Sequence, residues 1–380
     1  MAHYIYIHVP FCEARCPYCD FFTLGSGSDA VGQADRWLDL VQRELELWIA
    51  SGDVSPSEPV ATIYFGGGTP SLISSAKMKT FLSAMKQILP WQPTIEITVE
   101  MQPRTADERK IAEYSEAGVN RFSVGAQSFT DKFLARLERR HTVEDTLCLV
   151  DAVKKYGRLS IDLICALPEQ SLKDWQQDLE SALALAPEHL SVYELTFYRG
   201  TPLWAAMAEG KAHPSDESIR IAMFEYTAQR LQELGFEHYE ISNFALPGAR
   251  SRHNENYWKL GDYVGLGAGA HSFVHLHRYV NPPDIIRYEA EIRRGQLPRQ
   301  LVDAEDMDLA LCENLFMGLR LLEGLDLDLF QNKFGVDIRS RYSRQIEDLE
   351  RAGLVELVGS RLRLTWQGAL VADAVTSYFL

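Results

Sequence analysis

Positive charge is scarce in this sequence: 38 Lys and Arg stand against 53 Asp and Glu, a net charge of −15. A field of that sign repels nucleic-acid phosphates and anionic lipid unless basic residues gather locally, so a general nucleic-acid coat is excluded. Long apolar runs are missing too. The uncharged stretch from Pro59 to Ala76 is broken beyond Phe65 by three glycines, Pro70 and four Ser or Thr, which rules it out as a membrane span. The opening MAHYIYIHVPFC carries neither a cationic leader nor a small-residue cleavage site, the pattern expected of a cytoplasmic chain. Cysteine is sparse, with six in 380 residues, and a reducing compartment makes disulfides unexpected. Cys148, Cys165 and Cys312 sit singly in apolar contexts (TLCLV, LICAL, ALCEN), where small buried hydrophobes are expected.

What is present is enough apolar material for a conventional core: 46% hydrophobic and 11% aromatic residues over 380 positions, a length that suits one large α/β unit plus a satellite. Short β-rich runs at 4–8, 60–65, 94–100, 119–125, 159–165 and 189–195 alternate with amphipathic segments. In the segment 33–50, for example, Trp37, Leu38, Val41, Leu45, Trp48 and Ile49 recur at helical spacing. Such alternation predicts parallel strands with right-handed crossovers, hence a parallel (β/α) barrel, full or incomplete, of six units, whose working face lies at the carboxyl ends of the strands. A helix is expected near 215–234, stopping at Gly235, followed by a segment rich in His, Asn, Tyr and Gly at 238–279. The composition changes near residue 300, which divides the chain into 1–300 and 301–380. The second part has helical periods at 305–322 and 340–352, two short strands joined by Gly359-Ser360, and a closing helix, a winged-helix-like α+β appendage. Residues 337–363 hold six Arg against five Asp or Glu, too little for phosphate contacts along DNA.

Directly after the first strand comes HVPFCEARCPYCDFF, with Cys12, Cys16 and Cys19 inside eight residues. A structural zinc site wants four closed ligands, usually as two pairs, and the local set stops at three. On a four-iron cluster, three thiolates leave one iron free to bind a ligand directly. After the second strand, Gly66-Gly67-Gly68 allows close approach of a ligand to main-chain groups, or else makes a simple tight turn. Glu100, Gln127 and Asp162 fall at the carboxyl ends of the next three strands, where barrel sites are assembled.

The spacing C-x3-C-x2-C, with Tyr18 before the last cysteine, resembles the radical S-adenosylmethionine (SAM) superfamily. In that superfamily the cysteines hold a [4Fe-4S] cluster, SAM chelates the open iron, and reductive cleavage yields a 5′-deoxyadenosyl radical. YFGGGTPSL, GVNRFSVGAQSF, RRH, SIDLICALPEQ and VGLGAGAHSF narrow the resemblance to the group holding oxygen-independent coproporphyrinogen III oxidase and the HemW-type haem chaperones, from Tyr4 to about Phe273. The resemblance implies SAM contacts at Tyr6, Tyr18, Gly67, Gly68, Thr69, Glu100, Gln127, Arg139 and Asp162. Phe21 stands where the oxidase has a fourth cysteine, and the first strand begins at Tyr4, where the oxidase carries a long extension. Both departures count against propionate decarboxylation.

The run Arg252-His253-Asn254-Glu255-Asn256-Tyr257-Trp258 fits the H-N-x-x-Y-W pattern of the chaperones. It implies haem contact, with His253 as iron ligand, Tyr257 as ligand or hydrogen-bond partner and Trp258 stacked on the porphyrin. Arg250 and Arg252 are placed to meet propionates. His271, His275 and His277 are alternative ligands, the last two on one face if they lie on a strand. The implied function is delivery of haem to acceptor proteins, the cluster and SAM serving redox sensing or dimer control. An electron donor of the flavodoxin or ferredoxin kind is expected, nucleic acid is not, and homodimerisation and peripheral membrane contact stay open. The alternative is the oxidase itself, acting on a tetrapyrrole; a zinc-containing DNA-binding regulator is the remote third.

Overall fold

The computed structural model describes residues 3–25, 27–302 and 307–379. Its frame is a nine-stranded sheet built from β1 (His3–Val9), β2 (Val60–Gly67), β3 (Trp91–Met101), β4 (Arg121–Gln127), β5 (Arg158–Cys165), β6 (His189–Glu194), β7 (Glu237–Glu240), β8 (Asn243–Ala245) and β9 (Val264–Leu266). The strand order is β9-β1-β2-β3-β4-β5-β6-β8-β7. Every pair from β9 to β6 is parallel, and β8 and β7 close the far edge antiparallel. With β9 at one edge and β7 at the other, the sheet is an open barrel. The six expected strands are all present, and β9 adds a seventh parallel strand from the VGLGAGA segment.

Crossover helices α1 (Ala30–Ser51), α2 (Ser75–Ile88), α3 (Glu108–Ala117), α4 (Val143–Val153) and α5 (Leu172–Ala184) follow β1 to β5 in turn. Their ends are set locally. Ser74 and Asp107 accept backbone N–H groups at the starts of α2 and α3, and reciprocal Thr142/Asp145 and Ser171/Asp174 caps open α4 and α5. Two further helices are α6 (Glu217–Glu233) and α7 (Arg252–Trp258).

The sheet has two chemically different faces. Ile5, Ile7, Ile63, Phe65, Val99, Phe122, Val124, Ile161 and Leu163 are fully buried in one apolar cluster with Trp37, Leu45, Phe81 and Trp175 of the helices. Burying one such side chain contributes about 1.5–3 kcal/mol, so this layer holds the barrel together. The opposite, concave face is polar. Cys165 and Cys312 are buried as expected, but Cys148 is exposed: Thr146, Leu149, Val150 and Val153 form the sheet-facing side of α4 and turn Cys148 to solvent.

The C-terminal part has its own apolar cluster around Leu315, Leu319, Leu327, Phe330, Ile338 and Leu362, joined by Leu260. Helices at Met307–Leu319, Leu327–Phe334 and Ser343–Arg351 pack with a sheet in which Arg361–Leu364 lies between Leu325–Asp326 and Val355–Val358. Residues 305 and 306 of the expected first period lie outside the described residues. Among the described residues, no helix is long and apolar enough to cross a membrane.

Candidate functional site

The concave face and the carboxyl ends of the strands enclose a cavity of about 870 Å³. Its roof is the loop after β1. Phe11–Cys12 pairs in parallel with Leu24–Gly25, so the three cysteines lie on a loop closed at its base. The glycine turn after β2 anchors that loop through the backbone: Gly68 N–H donates to Val9 O at 2.8 Å and Thr69 N–H to Phe11 O at 2.9 Å. A Cβ on Gly68 would stand 2.7 Å from Val9 O and 3.0 Å from Cys12 Sγ. Gly67 has φ +105°, and a Cβ there would lie 2.5 Å from the His8 ring. Both positions therefore require glycine.

Cys12, Cys16 and Cys19 are half-buried and line the cavity together with Tyr18. Burial pushes the Cys12 thiol up to about 11 and raises Cys19 as well, so bound metal must displace their protons. Arg139 stands against them. Its Nη1 lies 3.4 Å from both Cys16 Sγ and Tyr18 Oη, its Nη2 donates to Gln102 Oε1 and Gly125 O, and its Nε is buried without a partner. Among the described residues, no three His, Cys, Asp or Glu side chains converge on a single-ion site. The thiols are thus not gathered for a lone zinc ion, whereas a polynuclear cluster can use separated thiols beside a cation.

Below the roof lie two carboxyl groups. Glu100 accepts from Tyr64 Oη at 3.0 Å and from Gly67 N–H at 3.1 Å. Burial, with Asp162 nearby, pushes it up to about 8. Asp162 accepts from Ser123 Oγ at 3.0 Å, and burial pushes it up to about 6. Gln127 also lines the cavity, at φ +66° beside a register shift between Gly125 and Gln127. This is strained backbone at the site's edge.

Of the residues expected to meet SAM, the structure thus gathers Tyr18, Gly67, Gly68, Thr69, Glu100, Gln127, Arg139 and Asp162 on one cavity. Tyr6 departs from that expectation. It is not among the cavity-lining residues; its hydroxyl meets His8 Nδ1 at 3.0 Å and its ring packs 6.2 Å from Tyr64 and 6.4 Å from His253.

His253, expected to ligate haem iron, is enclosed by its neighbours in this structure. His253 is 1% exposed, with Nδ1 2.6 Å from Thr62 Oγ1 and Nε2 2.7 Å from Tyr257 Oη. A neutral imidazole has one donor and one acceptor nitrogen, and both are taken. Burial pushes this ring down to about 3, so it stays neutral. The Arg320 guanidinium lies 4.7 Å over one face of the Trp258 ring. Arg250 pairs with Glu237 at 2.8 Å, and Arg252 donates to Thr94 O and Gln92 Oε1, so neither is held out for a propionate. His275 is in the turn between His271–Val274 and His277–Val280, at φ +52°, and shares no strand face with His277.

Known proteins resemble this chain over nearly its whole length. Residues 6–182 match the radical SAM superfamily and residues 309–371 match the HemN C-terminal domain. A heme chaperone HemW from Bacillus subtilis is 32% identical, covering 99% of this chain and 98% of that one. The HemW of Synechocystis is 35% identical, covering 84% and 78%. The chain belongs to the HemW haem chaperone family. A mitochondrial relative from Danio rerio, radical S-adenosyl methionine domain-containing protein 1, is 32% identical over 98% of this chain and 85% of that one. Among solved structures, the coproporphyrinogen III oxidase HemN of Escherichia coli matches with a TM-score of 0.82 over 100% of this chain and 90% of that one. At 19% identity this likeness is one of fold.

For a member of this family, the concave face holds more than the strand-end residues. Thr98 and Glu100 on β3, Arg121 and Ser123 on β4, Ser160 and Asp162 on β5, and His189, Ser191 and Tyr193 on β6 all line the cavity. Most of these were missed. Their signal is in the sequence as polar residues at every second position of buried strands, where a filled barrel would have branched apolar ones.

Proposed function

We propose that this protein is a haem chaperone that holds a [4Fe-4S] cluster on Cys12, Cys16 and Cys19, binds SAM in the cavity beneath it, and passes haem to acceptor proteins. The observation that carries the proposal is the joint placement of the three thiols, Arg139, the glycine turn and Glu100 on one cavity, in a chain of the HemW family. When bound, the cluster supplies an electron and an open iron for the amino and carboxylate groups of SAM. The protein's own residues do the rest. Arg139 sets a positive charge beside Cys16, Glu100 is placed to accept a hydrogen bond from that amino group, and Asp162 is placed to accept hydroxyl hydrogen bonds. The cluster-bearing barrel is taken as residues 1–300 and the appendage as 301–380, a division supported by their separate apolar clusters. A cytoplasmic setting fits the net charge of −15. A flavodoxin- or ferredoxin-like electron donor and a homodimer controlled by the cluster complete the proposal.

Haem titration of anaerobically reconstituted protein, followed by transfer to a haem-free acceptor, tests this reading: haem uptake and transfer are expected. A chain that binds no haem sinks it. The second reading, oxygen-independent coproporphyrinogen III oxidase, is favoured by the HemN-like fold and by a cavity of about 870 Å³, large enough for more than SAM. Many turnovers of coproporphyrinogen III in the presence of SAM and reductant would promote it.

A further inference from the structure

Among the described residues, four buried polar atoms at one level of the concave face have no partner: Thr98 Oγ1, Arg121 Nη2, Ser160 Oγ and His189 Nδ1. Each of these side chains is 1–2% exposed and lines the cavity. They stand on the consecutive strands β3, β4, β5 and β6. Pairing sets Thr98 beside Arg121 and Ser160 beside His189, with Ser160 opposite Ser123, two residues beyond Arg121.

All four can donate. Tyr239 Oη lies 2.8 Å from His189 Nε2 and can donate to it. Burial and the Arg121 charge keep His189 neutral; with Tyr239 Oη donating to Nε2, the ring's one proton sits on Nδ1, the atom without a partner. Arg121 Nη1 donates to Ala249 O at 2.9 Å, while Glu96 Oε2, at 3.7 Å, is beyond hydrogen-bond reach. Buried donors left unmade are costly, and a cluster of them around one guanidinium matches an oxygen anion.

We infer that this level of the cavity is a carboxylate subsite, built to receive the acid group of a ligand that occupies the cavity. Glu96 and Asp162 weaken the hold on a small free anion without abolishing it, which favours a carboxylate tethered to a larger ligand. For haem that group is a propionate, and this assignment rests on the chaperone reading.

The test compares haem with haem dimethyl ester on the anaerobically reconstituted protein with SAM present. Wild type should bind haem about ten-fold or more tighter than the ester, the effect of charge-assisted hydrogen bonds. Ser160→Ala and Thr98→Val should narrow that ratio to about three-fold or less and leave the ester's affinity unchanged. Arg121→Gln strips Glu96 of its countercharge and endangers the fold, so the hydroxyl variants carry the test. A wild-type ratio near one, or variants that weaken haem and ester alike, overturns the subsite and leaves its donors to ordered water. Acetate provides a second arm. A rise in Tm with acetate that is lost in Ser160→Ala supports the subsite with free small carboxylates as its ligands. If wild type binds neither haem nor ester, the chaperone reading fails; the acetate arm then decides the subsite alone, and no acetate response overturns it.

Discussion

Gly68 and Cys12 meet with no room for a side chain between them: a Cβ on Gly68 would stand 3.0 Å from Cys12 Sγ, with Val9 O and Phe11 O closer still. The two backbone hydrogen bonds from Gly68 and Thr69 fix the cysteine loop on this turn. Gly68→Ala must push the loop away, because its obstacles are main chain and not the tip of a flexible side chain. Overpacking of this kind costs about 1–3 kcal/mol, which the large core tolerates. Iron content should suffer more. Where the wild type assembles about four irons per chain, the variant should retain less than half. Iron and sulfide assays after anaerobic reconstitution check this; full iron retention would count against the anchoring role.

Glu100 and Asp162 predict a pH dependence. Burial holds their protons up to about 8 and about 6, against ordinary values of 4.5 and 3.8. Both groups are acids with raised folded values, so the protein without ligand loses stability as pH rises from about 4 to 8. An amino N–H donated to Glu100 selects the ionised carboxylate and reverses that penalty. SAM affinity should therefore rise between pH 6 and 8, by up to about ten-fold per unit, with proton release at pH 7. Calorimetry in buffers of different ionisation enthalpy measures the proton. Glu100→Gln should weaken binding and flatten the profile.

Arg139 has a separate role in the same site, since its guanidinium touches Cys16, Tyr18 and Gly125 at 3.4 Å. Nearby charge and hydrogen bonds to sulfur help set a cluster's potential. Arg139→Gln should shift the midpoint to more negative values and weaken SAM binding. Arg139→Lys restores the charge but not the planar fork that reaches Gln102, so it should recover the potential more fully than the affinity. A spectroscopically followed redox titration separates the two effects; an unchanged midpoint in Arg139→Gln would remove Arg139 from cluster tuning.

The strands and helices were legible because their periodicity is simple. β1 to β6 start and end within three residues of the apolar runs that announced them, and the cysteine spacing announced the roof of the cavity. Three things were hidden. β9 is only Val264–Leu266, a run between glycine-rich segments that reads as loop until β1 pairs with it. Arg121 and His189 look like surface residues at strand starts, and only the open barrel turns them inward. Tyr6 shares its strand face with His8 and pairs in register with Tyr64, which lines the cavity while Tyr6 does not. The motif residues other than Tyr6 gather on the cavity, while their exposure depends on packing from elements distant in sequence.

That dependence is sharpest at His253, where Thr62 from β2 and Tyr257 from one turn along α7 occupy both ring nitrogens. If this imidazole ligates haem iron, Nε2 must first give up Tyr257. The hydrogen bond contributes about 0.5–1.5 kcal/mol net, so Tyr257→Phe should raise haem affinity about two- to ten-fold. Thr62→Val frees Nδ1 instead, and should have less effect if Nε2 is the ligand. His253→Ala is a poorer probe, since it leaves two buried hydroxyls unpaired and a hole beside Tyr64, at a cost of about 2–5 kcal/mol. Titration followed through the iron absorption bands distinguishes these cases. Tyr257→Phe with unchanged affinity and unchanged bands means that iron is not held at His253, and haem must then be sought in the cavity that Arg320 shares with the cysteine loop.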